Sequence, residues 1–231
     1  MREVHVSDPR AVELVVDTLA HDVVMVQMPT VFVLLAPPTT AGASWLDRTK
    51  TRQPNKNYGT ALGSLESFYA MAVPGSLPAE LDGLAELEVL TGAFIRISVA
   101  DQGTNTQMIR GGTHQGLLLE GEHRELFRGV EAGLAAVAEP PMIGDHTFTA
   151  PLCTSANVSG HPDGSIVAWD AAHAFGVDRN VPLVVRADPD PDAEGSYPIF
   201  WLQHDRISVE REGPGLEEIR SVLPARLFAA G

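Results

Sequence analysis

Two short runs of consecutive apolar residues constrain the fold most strongly. They occupy residues 23–26 and 31–35 and are separated by a stretch that contains Gln27, Pro29 and Thr30. A strand with one face in water alternates apolar and polar residues, whereas a strand covered on both faces is apolar throughout. The two runs therefore predict strands that are buried on both faces of a sheet.

Helices are predicted where apolar residues recur at helical spacing. Residues 9–20 carry an apolar stripe behind a proline in the first turn, and residues 123–138 form a second amphipathic helix. The other predicted helices are at 41–49, 65–72, 78–88, 171–175 and 216–228. The other predicted strands are at 94–99, 117–119, 165–169 and 182–185, with a hairpin formed by 198–202 and 206–211. Residues 102–116 are polar and contain glycine, and are predicted to form a mobile loop.

The size and charge of the chain exclude several classes of protein. A chain of 231 residues with 44% hydrophobic content is expected to bury one core, as a single α/β domain. A formal net charge of −14 argues against broad nucleic-acid binding, which needs many cations to neutralise phosphates. Anionic ligands would have to be bound by a local cationic pocket.

The sequence also predicts a protein of the cytoplasm. No apolar run approaches the ~20 residues of a membrane span, and the first residues lack the layout of a signal peptide. The single cysteine, Cys153, excludes an internal disulfide, which fits a reducing compartment. The eight histidines show no metal-binding spacing, so no metal site is predicted.

Lys50 and Arg52 are the best candidates for the cationic pocket. Two cations that are two residues apart on an extended segment project from the same face. Such a pair suits a polyanion such as a triphosphate, because arginine offers a planar fork and lysine a point charge. The alternative is an ordinary pair of solvated cations.

A second motif follows about a hundred residues later, at the exit of an apolar stretch. Residues 154–160 read T-S-A-N-V-S-G, which places short hydroxyl and amide side chains next to a glycine. Thr154, Ser155 and Asn157 can bind a ligand that approaches the backbone closely. The alternative is a turn in which Ser155 and Asn157 bond to their own backbone.

The K-x-R pair followed by T-S-A-N-x-S-G resembles the YrdC-like threonylcarbamoyl-adenylate synthases. The resemblance implies an α/β fold with an open, twisted, mixed sheet flanked by helices, and a site in a concave face of that sheet. It also implies an enzyme that condenses an amino acid, bicarbonate and ATP, with Mg²⁺, into a carbamoyl-adenylate used in tRNA modification.

The resemblance implies roles for individual residues. Lys50 and Arg52 would be catalytic and would hold the ATP phosphates and the carbamate carboxylate. Thr154, Ser155 and Asn157 would position the nucleotide or the carboxylate, and Arg211, in an R-x-G element, would contact phosphate. On the amino-acid side, Thr30 falls on a threonine and Phe32 on a tyrosine of the family pattern, and both would contact the substrate together with Ser155.

Several of these residues also fit purely structural roles. Thr30 equally fits a β-branched strand residue, and Arg211 could pair with Glu210 or Glu212 on the surface. Cys153 is expected to be a small buried hydrophobe rather than a nucleophile. His114 and His123 could touch a substrate.

The sequence departs from the family pattern where the amino acid would be recognised. Gln27 and Met28 replace a P-T pair, Ile95 replaces a threonine, an R-x-P element is missing, and Tyr197 and Pro198 replace an S-T pair. Three hypotheses follow. The first is a divergent synthase that uses another amine or amino acid, or another carbamoyl or acyl donor. The second is a homologue that binds a nucleotide or a protein partner without catalysis, and the third is double-stranded RNA binding. The oligomeric state is left open.

Overall fold

The computed structural model describes residues 1–51, 57–100, 106–136, 148–157, 164–188 and 195–228. All structural statements below refer to these residues. Arg52, and residues 158–160 of the T-S-A-N-x-S-G motif, lie outside them.

The described residues form ten strands and seven α-helices. The strands are β1 (Arg2–His5), β2 (Val24–Gln27), β3 (Phe32–Ala36), β4 (Gly59–Leu62), β5 (Ala93–Ser98), β6 (Thr113–Leu118), β7 (Leu152–Ser155), β8 (Leu183–Arg186), β9 (Ile199–Gln203) and β10 (Arg206–Arg211). The helices are α1 (Ala11–Leu19), α2 (Thr40–Lys50), α3 (Glu66–Ala70), α4 (Leu84–Leu87), α5 (Gly121–Ala135), α6 (Trp169–Asp178) and α7 (Leu216–Val222).

All ten strands belong to one mixed sheet. Their order is β1-β8-β2-β3-β7-β4-β6-β5-β9-β10, with both parallel and antiparallel pairs. β1 and β10 are the two edges, so the sheet is open. The predicted α/β fold with a mixed sheet is confirmed.

The sheet is covered on both faces, as the two apolar runs predict. β2 and β3 are buried along their whole length. One core cluster lies between the sheet and the helices α1 and α5, and the other lies on the opposite face beneath α2, α3 and α6. α1 and α5 approach closely because α5 has glycine where it meets α1: a Cβ on Gly133 would lie 2.5 Å from a methyl carbon of Val16.

Four secondary-structure predictions are wrong. Residues 78–88 are not one helix, because α4 is flanked by separate 3₁₀ turns at Ala79–Leu81 and Glu88–Leu90. Residues 165–169 are not a strand, and Trp169 begins α6 instead. Residues 113–116 are not loop but the first part of β6, where they pair with β5. The helix predicted for 216–228 stops at Val222, because Pro224 has no N–H to continue it, and a separate 3₁₀ turn follows.

None of the helices in the described part of the chain is long and apolar enough to cross a membrane.

Candidate functional site

A cavity of about 200 Å³ lies against one face of the central strands, and most of its lining is polar. It is built from β3, β7, β4, β6, β5 and β10 together with the end of α2. Its polar side chains come from Lys50, Asn57, Gln115, Thr154, Ser155, Asn157, Ser196, Tyr197 and Arg211. The two sequence motifs therefore meet at one site, together with the arginine of the R-x-G element.

Lys50 is the last residue of α2. Thr39 caps the start of this helix by accepting a hydrogen bond of 3.0 Å from the Gly42 N–H, and Thr51 ends it in a left-handed conformation, with φ of 49°. A cation at a helix C-terminus interacts favourably with the helix dipole. The chain is thus helical rather than extended at Lys50, so the premise of an extended segment is wrong there, and Arg52 lies outside the described residues.

The Lys50 side chain is buried, and its ammonium group binds the second motif. Nζ donates to Oγ1 of Thr154 at 3.1 Å, to Oδ1 of Asn157 at 2.7 Å and to the backbone oxygen of Ser155. These three oxygens are uncharged. The contacts fix the end of α2 against the end of β7 and keep a positive charge at the cavity wall.

The end of β7 has the geometry needed to meet Lys50. Ser155 pairs with Val33 of β3, and the chain then turns, with the Ala156 N–H donating to the Phe32 oxygen at 2.7 Å. The Ser155 hydroxyl donates to Oδ1 of Asn157 at 3.1 Å. This bond joins two side chains rather than a side chain and its own backbone, and the turn also faces the cavity.

Arg211 is the second cation of the cavity, and it is partly buried. It ends β10 directly after an irregularity in the pairing with β9, and its Nε and Nη2 donate to the Tyr197 oxygen at 2.9 and 2.7 Å. Burial lowers the pKa of its guanidinium. The guanidinium carbon also lies 5.6 Å from the centre of the Phe94 ring. Arg211 thus bonds to the backbone inside the protein, whereas Glu210 pairs with Arg96.

The glycine of the R-x-G element explains how Arg211 reaches Tyr197. A Cβ on Gly213 would lie 2.2 Å from the Ser196 backbone oxygen and 2.8 Å from the Pro198 nitrogen. Only glycine allows the chain after β10 to pass this close to residues 196–198.

The structure does not bring Thr30 and Phe32 into this cavity. Thr30 lines a separate cavity of about 330 Å³, which it shares with Tyr197, Glu120 and Glu218, and its buried hydroxyl has no hydrogen-bond partner among the described residues. Phe32 points to the opposite face of the sheet, where its ring centre lies 6.1 Å from that of Trp169.

Cys153 lines the cavity as a buried thiol. Burial raises its pKa to about 12, although the charges of Lys50 and Arg211 act in the opposite direction. A thiol with so high a pKa is a poor nucleophile at neutral pH, in agreement with the expectation from sequence.

His114 and His123 are core residues. His114 lies 3.0 Å from the Thr60 hydroxyl and 3.2 Å from the Met108 oxygen, and burial lowers its pKa to about 4. His123 contacts the Gln27 oxygen at 2.8 Å, and burial lowers its pKa as well. Both rings are therefore uncharged at neutral pH.

The described residues do not form a metal site. They contain no group of three or more His, Cys, Asp or Glu side chains that could hold a metal ion, and their share of the cavity lining includes no carboxylate.

Sequence reasoning missed five polar residues in and beside the site: Asn57, Gln115, Ser196, Tyr197 and Arg96. Arg96 lies in β5 and donates to Gln115 at 2.7 Å. A charged residue in the mostly apolar strand at 94–99 was the available signal for it. Tyr197 contributes its backbone oxygen, and a contact made by the backbone cannot be predicted from the residue type.

Comparison with known proteins places the fold. No family model matches the sequence, and no curated protein matches it either. Among solved structures, P. abyssi Sua5 in complex with L-threonine superposes with a TM-score of 0.72 at 16% identity over 99% of this chain. E. coli YciO superposes with a TM-score of 0.63 at 11% identity, over 92% of this chain and 94% of its own. Full-length HypF in its phosphate- and nucleotide-bound form gives a TM-score of 0.59 at 12% identity, over 87% of this chain and 28% of its own.

These likenesses and the topology define the class of protein. The chain is an α/β protein with a cation-lined cavity on an open mixed sheet. Its fold is the YrdC-like fold, in a divergent sequence. The chain spans only 62% of the length of Sua5 in the threonine complex.

Proposed function

We propose that the protein is an ATP-dependent synthase that converts an amine or amino acid and bicarbonate into a carbamoyl-adenylate. The observation that carries the proposal is the placement of the buried cation Lys50 and the partly buried cation Arg211, with Ser155 and Asn157, on one cavity. Positive charge in a site of low dielectric favours an anionic ligand strongly. The YrdC-like fold supports it, since Sua5 has been solved with L-threonine and HypF with phosphate and nucleotide.

The reaction needs positioning more than covalent help from the protein. The amine nitrogen bonds to the carbon of bicarbonate and water leaves, which gives a carbamate. A carbamate oxygen then attacks the α-phosphorus of ATP, the bond to the β-phosphate oxygen breaks, and pyrophosphate leaves. Two anions must be held close and in line, with positive charge on the phosphates.

Residue roles follow from position in the cavity. Arg211 would bind phosphate through the part of its guanidinium not used on the Tyr197 oxygen. Lys50 would supply charge and hold Ser155 and Asn157 in place, and these with Thr154 would orient the nucleotide. We retain Arg52 as a proposed phosphate ligand by its place in the K-x-R motif.

The substrate amine is proposed to differ from threonine. Thr30 lies in the neighbouring cavity and Phe32 lies on the other face of the sheet, so the two residues expected on the amino-acid side do not converge with Ser155. The product would serve tRNA modification or a specialised pathway.

Magnesium does not fit a protein-held site among the described residues. Mg²⁺ is normally bound by one or two carboxylates and by substrate phosphates, and the described lining offers no carboxylate. The ion would arrive on the nucleotide, and we derive no step through it.

One observation favours a second candidate function, nucleotide binding without catalysis. An ammonium group has three N–H donors, and Lys50 directs hydrogen bonds at three protein oxygens. In that arrangement Lys50 stabilises the structure of the site and does not contact the reacting groups.

Pyrophosphate release tests the proposal. ATP, magnesium and bicarbonate are supplied with threonine and then with a panel of other amines, and Arg211→Gln is compared with Arg206→Gln. Arg206 is an exposed arginine at the other end of the same strand, so it controls for the loss of charge.

Release that needs both bicarbonate and an amine, and is lost in Arg211→Gln but kept in Arg206→Gln, is the expected result. ATP binding without release under any condition would support the second candidate. If the protein neither binds ATP nor releases pyrophosphate, both candidate functions are contradicted.

A further inference from the structure

A second pocket, with two arginines in its lining, adjoins the Lys50–Arg211 cavity. Its volume is about 270 Å³, and it is lined by Asn57, Tyr58, Arg96, Met108, Arg110, Thr113, His114 and Gln115. Asn57 and Gln115 also line the first cavity, so the two spaces share a wall.

Arg110 is held at the rim of this pocket by a tight turn. Arg110 and Thr113 exchange both backbone hydrogen bonds at 3.0 Å, and the two residues between them, Gly111 and Gly112, have φ of 55° and 70°. Two consecutive positive φ angles are the mark of a type I′ hairpin turn, which glycine adopts without strain. Residues predicted to be mobile thus present an exposed arginine at a defined position.

Arg96 is fixed more deeply in the same pocket. Its Nη2 donates to Oε1 of Gln115 at 2.7 Å and its Nη1 donates to Oε2 of Glu210 at 3.3 Å. A guanidinium has five N–H donors, so these two bonds orient the group without exhausting it. Burial lowers the pKa of Arg96, Glu210 raises it, and the charge of Arg110 lowers it further.

An arginine of the second pocket lies close enough to the first cavity to influence Arg211 electrostatically. Arg96 also lowers the pKa of Arg211, so Arg96 interacts electrostatically with the arginine of the first cavity as well as with Arg110. The described lining of the second pocket contains two arginines and no carboxylate, and Glu210 is the one acid that pairs with Arg96 among the described residues. His114 is neutral here and adds no charge. Like charges this close repel, and a bound anion removes that cost.

We propose that the pocket of Arg96 and Arg110 is a second anion site, which takes a phosphoryl group of a small molecule. The arginine fork matches phosphate geometry better than it matches a single point acceptor. The phosphoryl group has two sources: the β- and γ-phosphates of a nucleotide held in the first cavity, or free inorganic pyrophosphate. The claim that the phosphoryl group belongs to a nucleotide depends on the proposed function. The claim that the pocket binds an anion depends only on the residues that line the pocket.

Calorimetric titration of the full chain with inorganic pyrophosphate, ATP and AMP tests the site. The variant is Arg110→Gln, which changes an exposed side chain and leaves the turn intact. The control is Arg128→Gln, an exposed arginine on α5 that pairs with Glu125. Thermal unfolding of both variants checks that they remain folded.

Loss of one charge-assisted phosphate contact is expected to weaken pyrophosphate binding roughly tenfold in Arg110→Gln and not in Arg128→Gln. If ATP binding weakens as well and AMP binding does not, the source is the nucleotide tail. If ATP binding is unchanged, the source is free pyrophosphate. Failure of the wild-type protein to bind pyrophosphate, or equal binding by wild type and Arg110→Gln, would overturn the proposal.

The test of the anion site can succeed or fail independently of the test of the proposed synthase function. Pyrophosphate binding that depends on Arg110, in a protein that never releases pyrophosphate from ATP, would leave the anion site standing and the synthase proposal refuted. Release that proceeds normally in Arg110→Gln, with unchanged pyrophosphate binding, would support the synthase and refute the anion site.

Discussion

The Nζ atom of Lys50 lies 2.7 Å from Oδ1 of Asn157, a residue 107 positions further along the chain. This hydrogen bond joins the C-terminal end of α2 to the turn after β7. It makes one site out of two motifs that the sequence places far apart.

The bond predicts a strong coupling between the two residues. Asn157→Leu leaves one N–H of the buried ammonium without this acceptor, which should lower the free energy of unfolding by about 1–3 kcal/mol. In the Lys50→Met background the same change should cost much less, because the donor is already gone. Urea unfolding of the four proteins measures the coupling, and strictly additive effects would show that the bond carries no energy of its own.

Cys153 should be inert in the folded protein. Burial raises the pKa of its thiol to about 12, so the reactive thiolate is scarce at pH 8. Labelling with a thiol reagent should be slow in native buffer and fast in denaturant, where Cys153 is exposed. Rapid labelling of the native protein would mean that the thiol is accessible and ionised.

Glu131 should make stability depend on pH. The residue lies on α5 and accepts a hydrogen bond of 2.8 Å from the Gly63 N–H, and burial raises the pKa of its carboxyl to about 7. A raised pKa in the folded state means that the contribution of Glu131 to stability is present below its unfolded pKa of about 4.5. That contribution is lost as the pH rises through about 7.

Glu131→Gln keeps an oxygen acceptor and removes the titration. The wild-type protein should therefore lose stability relative to this variant between pH 5 and pH 8, as measured by denaturant unfolding across that range. Parallel pH profiles for the two proteins would show that the carboxyl titrates normally.

Gly213→Ala should disturb the Arg211 site. The added Cβ would meet backbone atoms of residues 196–198, which cannot move aside as a flexible side chain can. We expect a loss of about 1–3 kcal/mol in unfolding free energy. Glu212→Ala, a change at the exposed neighbouring residue, should be close to neutral. Equal effects of the two substitutions would contradict the close packing.

The sequence predicted most of the sheet because its signals are local. The apolar runs marked β2 and β3 as strands covered on both faces, and amphipathic spacing marked α1 and α5. The errors arose where a pattern fitted two structures. Residues 165–169 contain apolar residues at strand spacing, but Trp169 instead starts a helix, and the glycines at 111 and 112 form a tight turn rather than a flexible loop.

The candidate site was predictable only in part. A motif of side chains, such as Ser155 with Asn157, is visible in sequence, and its meeting with Lys50 followed from the family resemblance. The backbone oxygen of Tyr197 meets Arg211, and Arg96 and Arg110 meet at the second pocket through strand register and a hairpin turn. Strand register and the turn depend on residues far apart in the sequence, although the charge of Arg96 in a mostly apolar strand was a local signal.

The most direct test of the central claim is calorimetric titration of ATP, in magnesium-containing buffer, into wild type, Arg211→Gln and Arg206→Gln. The account predicts that wild type and Arg206→Gln bind ATP alike and that Arg211→Gln binds it roughly tenfold more weakly or worse. No ATP binding by the wild-type protein, or binding that Arg211→Gln leaves unchanged, would contradict the claim that this cavity is a nucleotide site.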